Sequence, residues 1–256
     1  TEVVGPNTNP LEVTEIIEKI NILDLVDIGN QNFYEIGNGN TYWVDKNNPI
    51  SSDDSQGTKE RPWKTLLKAN LEAEAGDTII VMPGVYTDST EQNEGSSFTS
   101  FVPKNNGEEG NPITFKSFTP RMAILKSNAP DTDKAYRYKA LAFYSKHDIV
   151  YDGFKTIGMV HFLGSQRISF INGEVTHGSL AWGDTSLLWG IAVERSSYCT
   201  IRNNKIHSMA KAIKNGNIYM SHNQAGIMVF GGGDAANTST SAGATAFNNL
   251  IDYNTI

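Results

Sequence analysis

Three side chains suited to acid–base chemistry fall on strand-like stretches of the sequence. The apolar neighbours of His161 would face a core, so the imidazole would point to the opposite face, because side chains alternate along a strand. Phe162 and Val193 each lie 11 residues before an equivalent turn position. His161 and Glu194 would then be diagonal neighbours on strands about 5 Å apart, with Tyr144 on the same surface. The pattern predicts proton transfer on a sugar; ordinary solvated surface is the alternative.

Aromatic residues are concentrated in the segment that joins two of these strands. Residues 176–189 contain His177, Trp182 and Trp189. Tryptophan rings pack well against the apolar faces of sugar rings, while nearby polar groups orient the ligand. We therefore predict that Trp182 and His177 bind substrate. Trp189 adjoins the next strand, which favours a role in folding the segment onto the sheet.

A local basic patch is predicted near the same surface. Arg195 directly follows the candidate glutamate, and Lys211 and Lys214 lie in a later insertion. Such side chains could neutralise the carboxylate of an acidic sugar during proton abstraction. The three-residue spacing of the two lysines in a helical turn is equally typical of a solvated face.

The elements that would position these residues repeat along the chain. Pairs of short apolar stretches flank a Gly or Asn, the residues that best tolerate a left-handed bend. The bend residues are Gly84, Gly153, Gly173, Asn204 and Asn254. A third strand precedes the later pairs, at 141–143, 160–162, 191–193 and 227–229. Three strands per coil predict an all-β solenoid whose coils stack as parallel sheets.

Insertions in the repeat predict where a ligand would bind. The bends are 20 residues apart between Gly153 and Gly173, but 31 and 50 residues apart in the later coils. The additional residues fall in 176–189, 207–224 and 231–247. Each insertion flanks the upstream strand, so these loops would wall a groove whose floor is the first sheet.

The chain is predicted to contain a lead-in segment and one large domain. Residues 1–40 form the lead-in and residues 41–256 the β-solenoid domain. Apolar residues at four-residue spacing predict a short helix over 64–75. The sequence stops at Ile256 directly after a bend and without a C-terminal cap. We therefore expect end-to-end self-association there, or a continuation of the coil.

Composition argues against several kinds of partner. With 28 acidic and 21 basic residues among 256, the formal net charge is −7, which favours neither nucleic acid nor an anionic membrane. No apolar run reaches the roughly 18 residues that span a bilayer. The one cysteine, Cys199, excludes an internal disulfide and has the strand parity of a core residue. No metal ligand can be assigned.

Several stretches of the domain resemble a known group of proteins. Gly57–Thr65, Ala75–Val81 and Pro83–Tyr86 resemble the opening of secreted right-handed parallel β-helix proteins. Gly110–Phe115 resembles the second-coil entry of polysaccharide lyases of the alginate lyase and chondroitinase B type. The resemblance implies a right-handed parallel β-helix whose N-terminal end is capped by the short helix. It also implies secretion or a cell-surface location.

The resemblance leaves two classes of function open. The first is a carbohydrate-active enzyme that cleaves or binds an acidic polysaccharide, as a polysaccharide lyase before a glycoside hydrolase, with Ca²⁺ as an optional cofactor. The second is a non-catalytic surface or filament-forming β-helix that binds glycan or neighbouring subunits. The family's acidic pair followed by a lysine on consecutive coils has no match here, so its metal and base residues are not carried over.

Overall fold

The computed structural model describes residues 37–87, 101–126, 139–176, 188–207, 212–214, 217–219, 224–231 and 248–255. All of them lie within one compact unit, Ile36–Ile256. Most of the predicted lead-in lies outside the described residues. Its last residues hydrogen-bond to the β-helix: the backbone N–H of Gly39 donates to Gly76 O, and that of Asn40 donates to Asp77 Oδ1.

Short strands dominate the described residues, with a single helix, α1 (Leu66–Glu72). The strands are β1 (Thr41–Val44), β2 (Thr78–Val81), β3 (Gly84–Tyr86), β4 (Ile113–Ser117), β5 (Ala123–Lys126), β6 (Lys139–Tyr144), β7 (His147–Asp152), β8 (Lys155–Ile157), β9 (Met159–Leu163), β10 (Gln166–Ile171), β11 (Glu174–Thr176), β12 (Leu188–Glu194), β13 (Thr200–Arg202), β14 (Lys205–His207), β15 (Ala212–Lys214), β16 (Asn217–Tyr219), β17 (Gln224–Phe230) and β18 (Leu250–Asp252).

Three parallel sheets run along the described part of the molecule. Sheet A has the order β1-β2-β4-β7-β10-β13-β18, sheet B the order β3-β5-β8-β11-β14, and sheet C the order β6-β9-β12-β17. One coil, for example β9, β10 and β11, contributes a strand to sheets C, A and B in turn. The predicted all-β parallel β-helix and its upstream strands are therefore confirmed.

Aromatic side chains stack from coil to coil inside the helix. The rings of Phe115 and Tyr151 are parallel with centroids 4.8 Å apart, and Phe143 meets the edge of Phe162 at 5.3 Å. Each such buried side chain stabilises the fold by about 1.5–3 kcal/mol. Cys199 also lies in this core, as predicted, and burial raises the pKa of its thiol to about 11.

The predicted bend residues share one corner of the coil, where the chain passes from sheet A to sheet B. They are Gly84, Gly153, Gly173, Asn204 and Asn254. Of these, only Gly153 has the left-handed conformation expected for all five, with φ at 74°. In the next three coils the preceding residue adopts it instead, namely Asn172, Asn203 and Tyr253, with φ at 54°, 54° and 51°. The corner is confirmed, but the predicted conformation is wrong for the other four residues.

The register of sheet A explains this difference. Tyr151 pairs with Phe170, so Gly153 lies level with Asn172 rather than with Gly173. Gly173 serves a different purpose, because a Cβ there would come within 2.7 Å of the Phe170 ring. Glycine is therefore required by backbone conformation in one coil and by close packing in the next.

Asn204 and Asn254 hold the same corner together through their amides. Asn204 Oδ1 accepts from the backbone N–H of Gly173 at 2.7 Å, and its Nδ2 donates to Phe170 O at 2.8 Å. One coil further on, Asn254 Oδ1 accepts from Asn204 N at 2.9 Å, and its Nδ2 donates to Ile201 O at 2.8 Å. These side chains satisfy backbone groups that a tight bend leaves without partners.

Helix α1 packs beside the first strand of sheet A, where the sequence predicts a cap. The predicted helix over 64–75 is confirmed in a shorter form. Thr65 is its N-cap, and the Thr65 hydroxyl donates to Asp53 Oδ2 at 2.7 Å. Trp63 pairs with Val44 as a parallel bridge and thereby covers the outer edge of β1. No helix among the described residues is long and apolar enough to cross a membrane.

The three predicted insertions lie largely outside the described residues. Within the insertion 207–224, β15 and β16 form an antiparallel hairpin in which Ile213 pairs with Ile218. The helical turn predicted between Lys211 and Lys214 is therefore wrong, because residues 212–214 form a strand. Ile213 and Ile218 are β-branched, a residue type that favours the extended conformation.

The other edge of sheet A is apolar in the described part of the chain. Leu250 and Ile251 of β18 are exposed, although Ile251 lies level with the core residue Ile201. End-to-end association at this edge stays a prediction.

Candidate active site

The outward face of sheet C brings His161 and Glu194 together, as the sequence predicts. His161 pairs with Ala192, and Leu163 pairs with Glu194, so the two candidates are diagonal neighbours on β9 and β12. His161 Nε2 lies 3.3 Å from Glu194 Oε2. Neither imidazole nitrogen has a well-aligned hydrogen bond within the described structure. The contact is therefore electrostatic, and both nitrogens are buried without a hydrogen bond.

Burial keeps the imidazole of His161 uncharged. The residue is 5% exposed, so the alternative of ordinary solvated surface is wrong for it. Its cross-strand neighbours Ala142 and Ala192 are small and also buried. Desolvation, together with the positive charges of Lys139 and Arg195, lowers the pKa of His161 to about 3. At neutral pH the ring can donate one hydrogen bond and accept another.

Lys139 joins this cluster without having been predicted. Its Nζ donates to Tyr144 Oη at 2.8 Å. Burial lowers the pKa of Lys139, while the negative charge of Glu194 acts in the opposite direction. A buried lysine whose pKa is lowered can serve as a general base.

A β-bulge explains why sequence reasoning missed Lys139. Simple alternation from Tyr144 would place Lys139 on the core side, with Leu141 and Phe143. The pairing of β6 with β9 shifts register between Lys139 and Leu141. The bulge turns the lysine toward the face that carries Tyr144, and the sequence contains no signal for it.

Tyr144 is held in its protonated form. Burial raises the pKa of its phenol, and the nearby carboxylate of Glu194 raises it further. The ring meets the His161 ring edge-on, with centroids 6.2 Å apart. Tyr144 can therefore donate a proton to a group bound beside it.

Arg195 supplies a cation at the turn after β12. Its Nη2 lies 3.0 Å from Glu194 Oε1, and the side chain is 40% exposed. Its backbone is left-handed, with φ at 48°, at the position that Ser145 and Gly164 occupy in the two preceding coils. An arginine in this conformation costs about 1 kcal/mol relative to glycine. Strain of this kind is common at sites that bind ligands.

The remaining predicted binding residues stay a prediction. His177, Trp182 and Lys211 lie outside the described residues, and Lys214 lies in β15. Trp189, for which the sequence favours a role in folding, forms an aromatic pair with Phe230, with ring centroids 5.2 Å apart.

The cluster offers a complete set of groups for proton transfer. Lys139 is a candidate base, Tyr144 a candidate acid, Arg195 a cation for an anionic ligand and His161 a neutral hydrogen-bonding group. Among the described residues, no three His, Cys, Asp or Glu side chains are grouped as a metal site requires. None of those residues is therefore assigned to Ca²⁺.

The described residues define a parallel β-helix protein with a buried cluster of titratable side chains on sheet C. A family described as "Protein of unknown function (DUF1565)" matches residues 50–112, which include α1 and the first turns of the coil. "Uncharacterized protein YwoF" of Bacillus subtilis (strain 168) is 29% identical over 119 residues. That match covers 46% of this chain and 22% of YwoF, so the chain spans less than a quarter of that relative.

Three solved structures are similar over most of the chain. Pectate lyase Pel9A has 14% identity and a TM-score of 0.45, with 81% of this chain and 58% of that chain covered. Rhamnogalacturonan lyase has 19% identity and a TM-score of 0.41, with 76% and 51% covered. The GH136 lacto-N-biosidase from Eubacterium ramulus has 17% identity and a TM-score of 0.39, with 75% and 30% covered. These similarities carry no statement about the reaction.

Proposed function

We propose that this chain is the catalytic part of a secreted or cell-surface polysaccharide lyase that cleaves a uronate-containing polysaccharide by β-elimination. One observation carries the proposal: the 2.8 Å hydrogen bond between Lys139 and Tyr144. It joins a base whose pKa is lowered to an acid whose pKa is raised. The lowered pKa makes the deprotonated lysine more available and the raised pKa keeps the tyrosine protonated, so one group can accept a proton while its neighbour holds one to deliver.

The first step is neutralisation of the uronate. The exposed part of the Arg195 guanidinium binds the sugar carboxylate, while Glu194 holds the other side of the same group at 3.0 Å. Pairing the carboxylate with a cation makes the proton on the adjacent carbon easier to remove, because negative charge develops on the carboxylate in the transition state.

The second step transfers two protons and breaks one bond. In its deprotonated form, Lys139 takes the proton from C5 of the uronate, and the electrons of that C–H bond form a C4=C5 double bond. The C4–O bond breaks, and its electron pair goes to the glycosidic oxygen. Tyr144 donates its phenolic proton to this oxygen. The products are an unsaturated uronate and a new reducing end.

The existing hydrogen bond resets the site. After cleavage Lys139 is an ammonium and Tyr144 a phenolate, 2.8 Å apart, and burial favours the uncharged pair because it lowers the pKa of the lysine and raises that of the tyrosine. The proton moves from nitrogen to oxygen and restores both groups without an added acid or base. His161 stays neutral throughout and hydrogen-bonds a sugar hydroxyl.

The number of carboxylates on the strands of sheet C favours a lyase over a glycoside hydrolase. Glycosidases use two carboxyl groups about 5–9.5 Å apart. Glu194 is the sole Asp or Glu within β6, β9, β12 and β17. Hydrolysis at this site would need a second carboxylate from residues outside those strands.

The test is a panel of uronate polysaccharides, monitored by the ultraviolet absorbance of the unsaturated product. We expect product from at least one polymer, and a loss of kcat of about 100-fold or more in Lys139→Met and in Tyr144→Phe. Lys205→Met, which removes an exposed lysine from sheet B, should retain activity. The absence of product from every polymer, or full activity in Lys139→Met, would overturn the proposal.

A chelator tests the source of the neutralising charge. If Arg195 supplies it, EDTA should leave activity unchanged, while Arg195→Gln should raise KM and lower kcat. Loss of activity in EDTA that Ca²⁺ restores would assign neutralisation to a metal ion instead and contradict the role given to Arg195.

A further inference from the structure

We infer that Trp189 and Phe230 form a second sugar subsite, which binds a unit of the polymer beside the unit being cleaved. The inference rests on the proposed function for the nature of the polymer. It assigns a binding role to two residues that take no part in the elimination itself.

The aromatic pair borders the catalytic cluster. Phe230 pairs with Glu194 across β17 and β12, and its carbonyl oxygen accepts from the backbone N–H of Arg195 at 3.0 Å. The Trp189 ring lies 5.2 Å from the Phe230 ring and is inclined to it by 58°. Both side chains are only partly buried. Phe230 therefore links the pair to the row that carries Glu194, while Trp189 lies five residues before Glu194 on the same strand.

Polar atoms without hydrogen-bond partners occur on two adjacent strands of sheet C. Trp189 Nε1 is buried and has no hydrogen-bond partner in the described structure, and the same holds for both nitrogens of His161. Buried indole N–H groups normally find an acceptor, because leaving one unpaired costs free energy. A sugar matches this surface, since it offers apolar C–H faces to aromatic rings and hydroxyls to the nitrogen atoms.

The sheet sets the direction in which a polymer would lie. Tyr144, Leu163, Glu194 and Phe230 are level with one another on four adjacent strands. Strands are about 4.8 Å apart, so this row spans roughly 14 Å from Tyr144 to Phe230. A chain lying across the strands can place one sugar at Lys139 and Tyr144 and a later sugar on the aromatic pair. The subsite should therefore favour long oligosaccharides over short ones.

Binding without turnover provides the test. In a Lys139→Met background, affinities for di- and hexasaccharides of galacturonic and mannuronic acid are measured by calorimetry. We expect Trp189→Phe and Phe230→Leu each to weaken hexasaccharide binding by about tenfold, with little effect on the disaccharide. Phe230→Tyr keeps the ring and should retain affinity.

Tryptophan fluorescence gives an independent readout. Binding of the hexasaccharide should change the emission of the Lys139→Met protein, and this change should be clearly smaller in Trp189→Phe but keep its size in Trp43→Phe. Should Trp189→Phe fail to fold, the comparison of Phe230→Leu with Phe230→Tyr decides. Equal hexasaccharide affinities in those two folded variants and the parent protein would overturn the subsite.

The outcomes separate this inference from the proposed function. Unsaturated product combined with equal affinities in all aromatic variants removes the subsite and keeps the lyase. Ring-dependent binding without unsaturated product from any polymer keeps a sugar subsite and removes the lyase.

Discussion

In the proposed mechanism, Lys139 serves function at the expense of stability. Its side chain is buried, and burial lowers the pKa of its amine. The protonated lysine is therefore less stable in the folded protein than in the unfolded chain, which lowers the free energy of unfolding at neutral pH. Natural proteins retain such groups when activity needs them. The left-handed arginine at position 195 is a second local cost in the same site.

Replacing Lys139 with methionine should therefore stabilise the protein while it abolishes activity. Methionine fills a similar volume and needs no solvation, so we expect a gain of about 1 kcal/mol in the free energy of unfolding at neutral pH. Urea unfolding of the two proteins measures it. Since the folded pKa is depressed, the gain should shrink as rising pH deprotonates Lys139 in the parent. A Lys139→Met protein with a lower free energy of unfolding than the parent would show that burial of the lysine is not unfavourable.

Glu194 should set the pH range of the reaction. Its negative charge raises the pKa values of Lys139 and Tyr144. Activity requires Lys139 to be deprotonated and Tyr144 to be protonated, so kcat/KM should rise and then fall with pH. Glu194→Gln removes the charge and should move both limbs of the profile to lower pH. Limbs that keep their positions in this variant would show that other groups control the profile.

At the scale of elements, periodicity in the sequence predicted more than local conformation did. Two patterns identified the register of sheet C: the alternation around His161, and the equal distances of Phe162 and Val193 from the next bend residue. They did so because adjacent strands of the coil pair in one fixed register. The bulge at Lys139 and the one-residue shift at Gly153 were missed. Both depend on how neighbouring coils pack, which a single strand's residues do not encode.

Two glycines of the same corner allow a matched test of close packing. A Cβ at Gly173 would lie 2.7 Å from the Phe170 ring and 2.8 Å from Phe154 O, both fixed in the core. At Gly84 its nearest neighbour would be Asn47 Nδ2 at 3.3 Å, on a side chain that can move. We expect Gly173→Ala to cost about 1–3 kcal/mol in unfolding free energy and Gly84→Ala less than about 0.5 kcal/mol. Equal losses would show that the corner adjusts to the added methyl group.

At the scale of the whole molecule, the site depends on stacking between coils. Lys139 and Tyr144 belong to one coil, His161 to the next, and Glu194 and Arg195 to a third. No single coil contains the base, the acid and the cation together. Each coil is stabilised by its neighbours. Unfolding of any one of these three coils should therefore separate the groups assigned to the reaction.

The buried imidazole makes the stability of the whole coil depend on pH. His161 has a pKa of about 3 in the folded protein and an ordinary value near 6.5 when unfolded. As the pH falls from about 6.5 toward 3, the unfolded chain binds a proton at this histidine and the folded protein does not, so stability decreases throughout this range.

His161→Gln should lose less stability than the parent between neutral pH and about pH 4.5. The urea midpoints of both proteins measure this difference, and His147→Gln, which removes a more exposed histidine from sheet A, is the control. If His161→Gln and the parent show the same loss, the imidazole is not held neutral, and the hydrogen-bonding role assigned to it fails with that result.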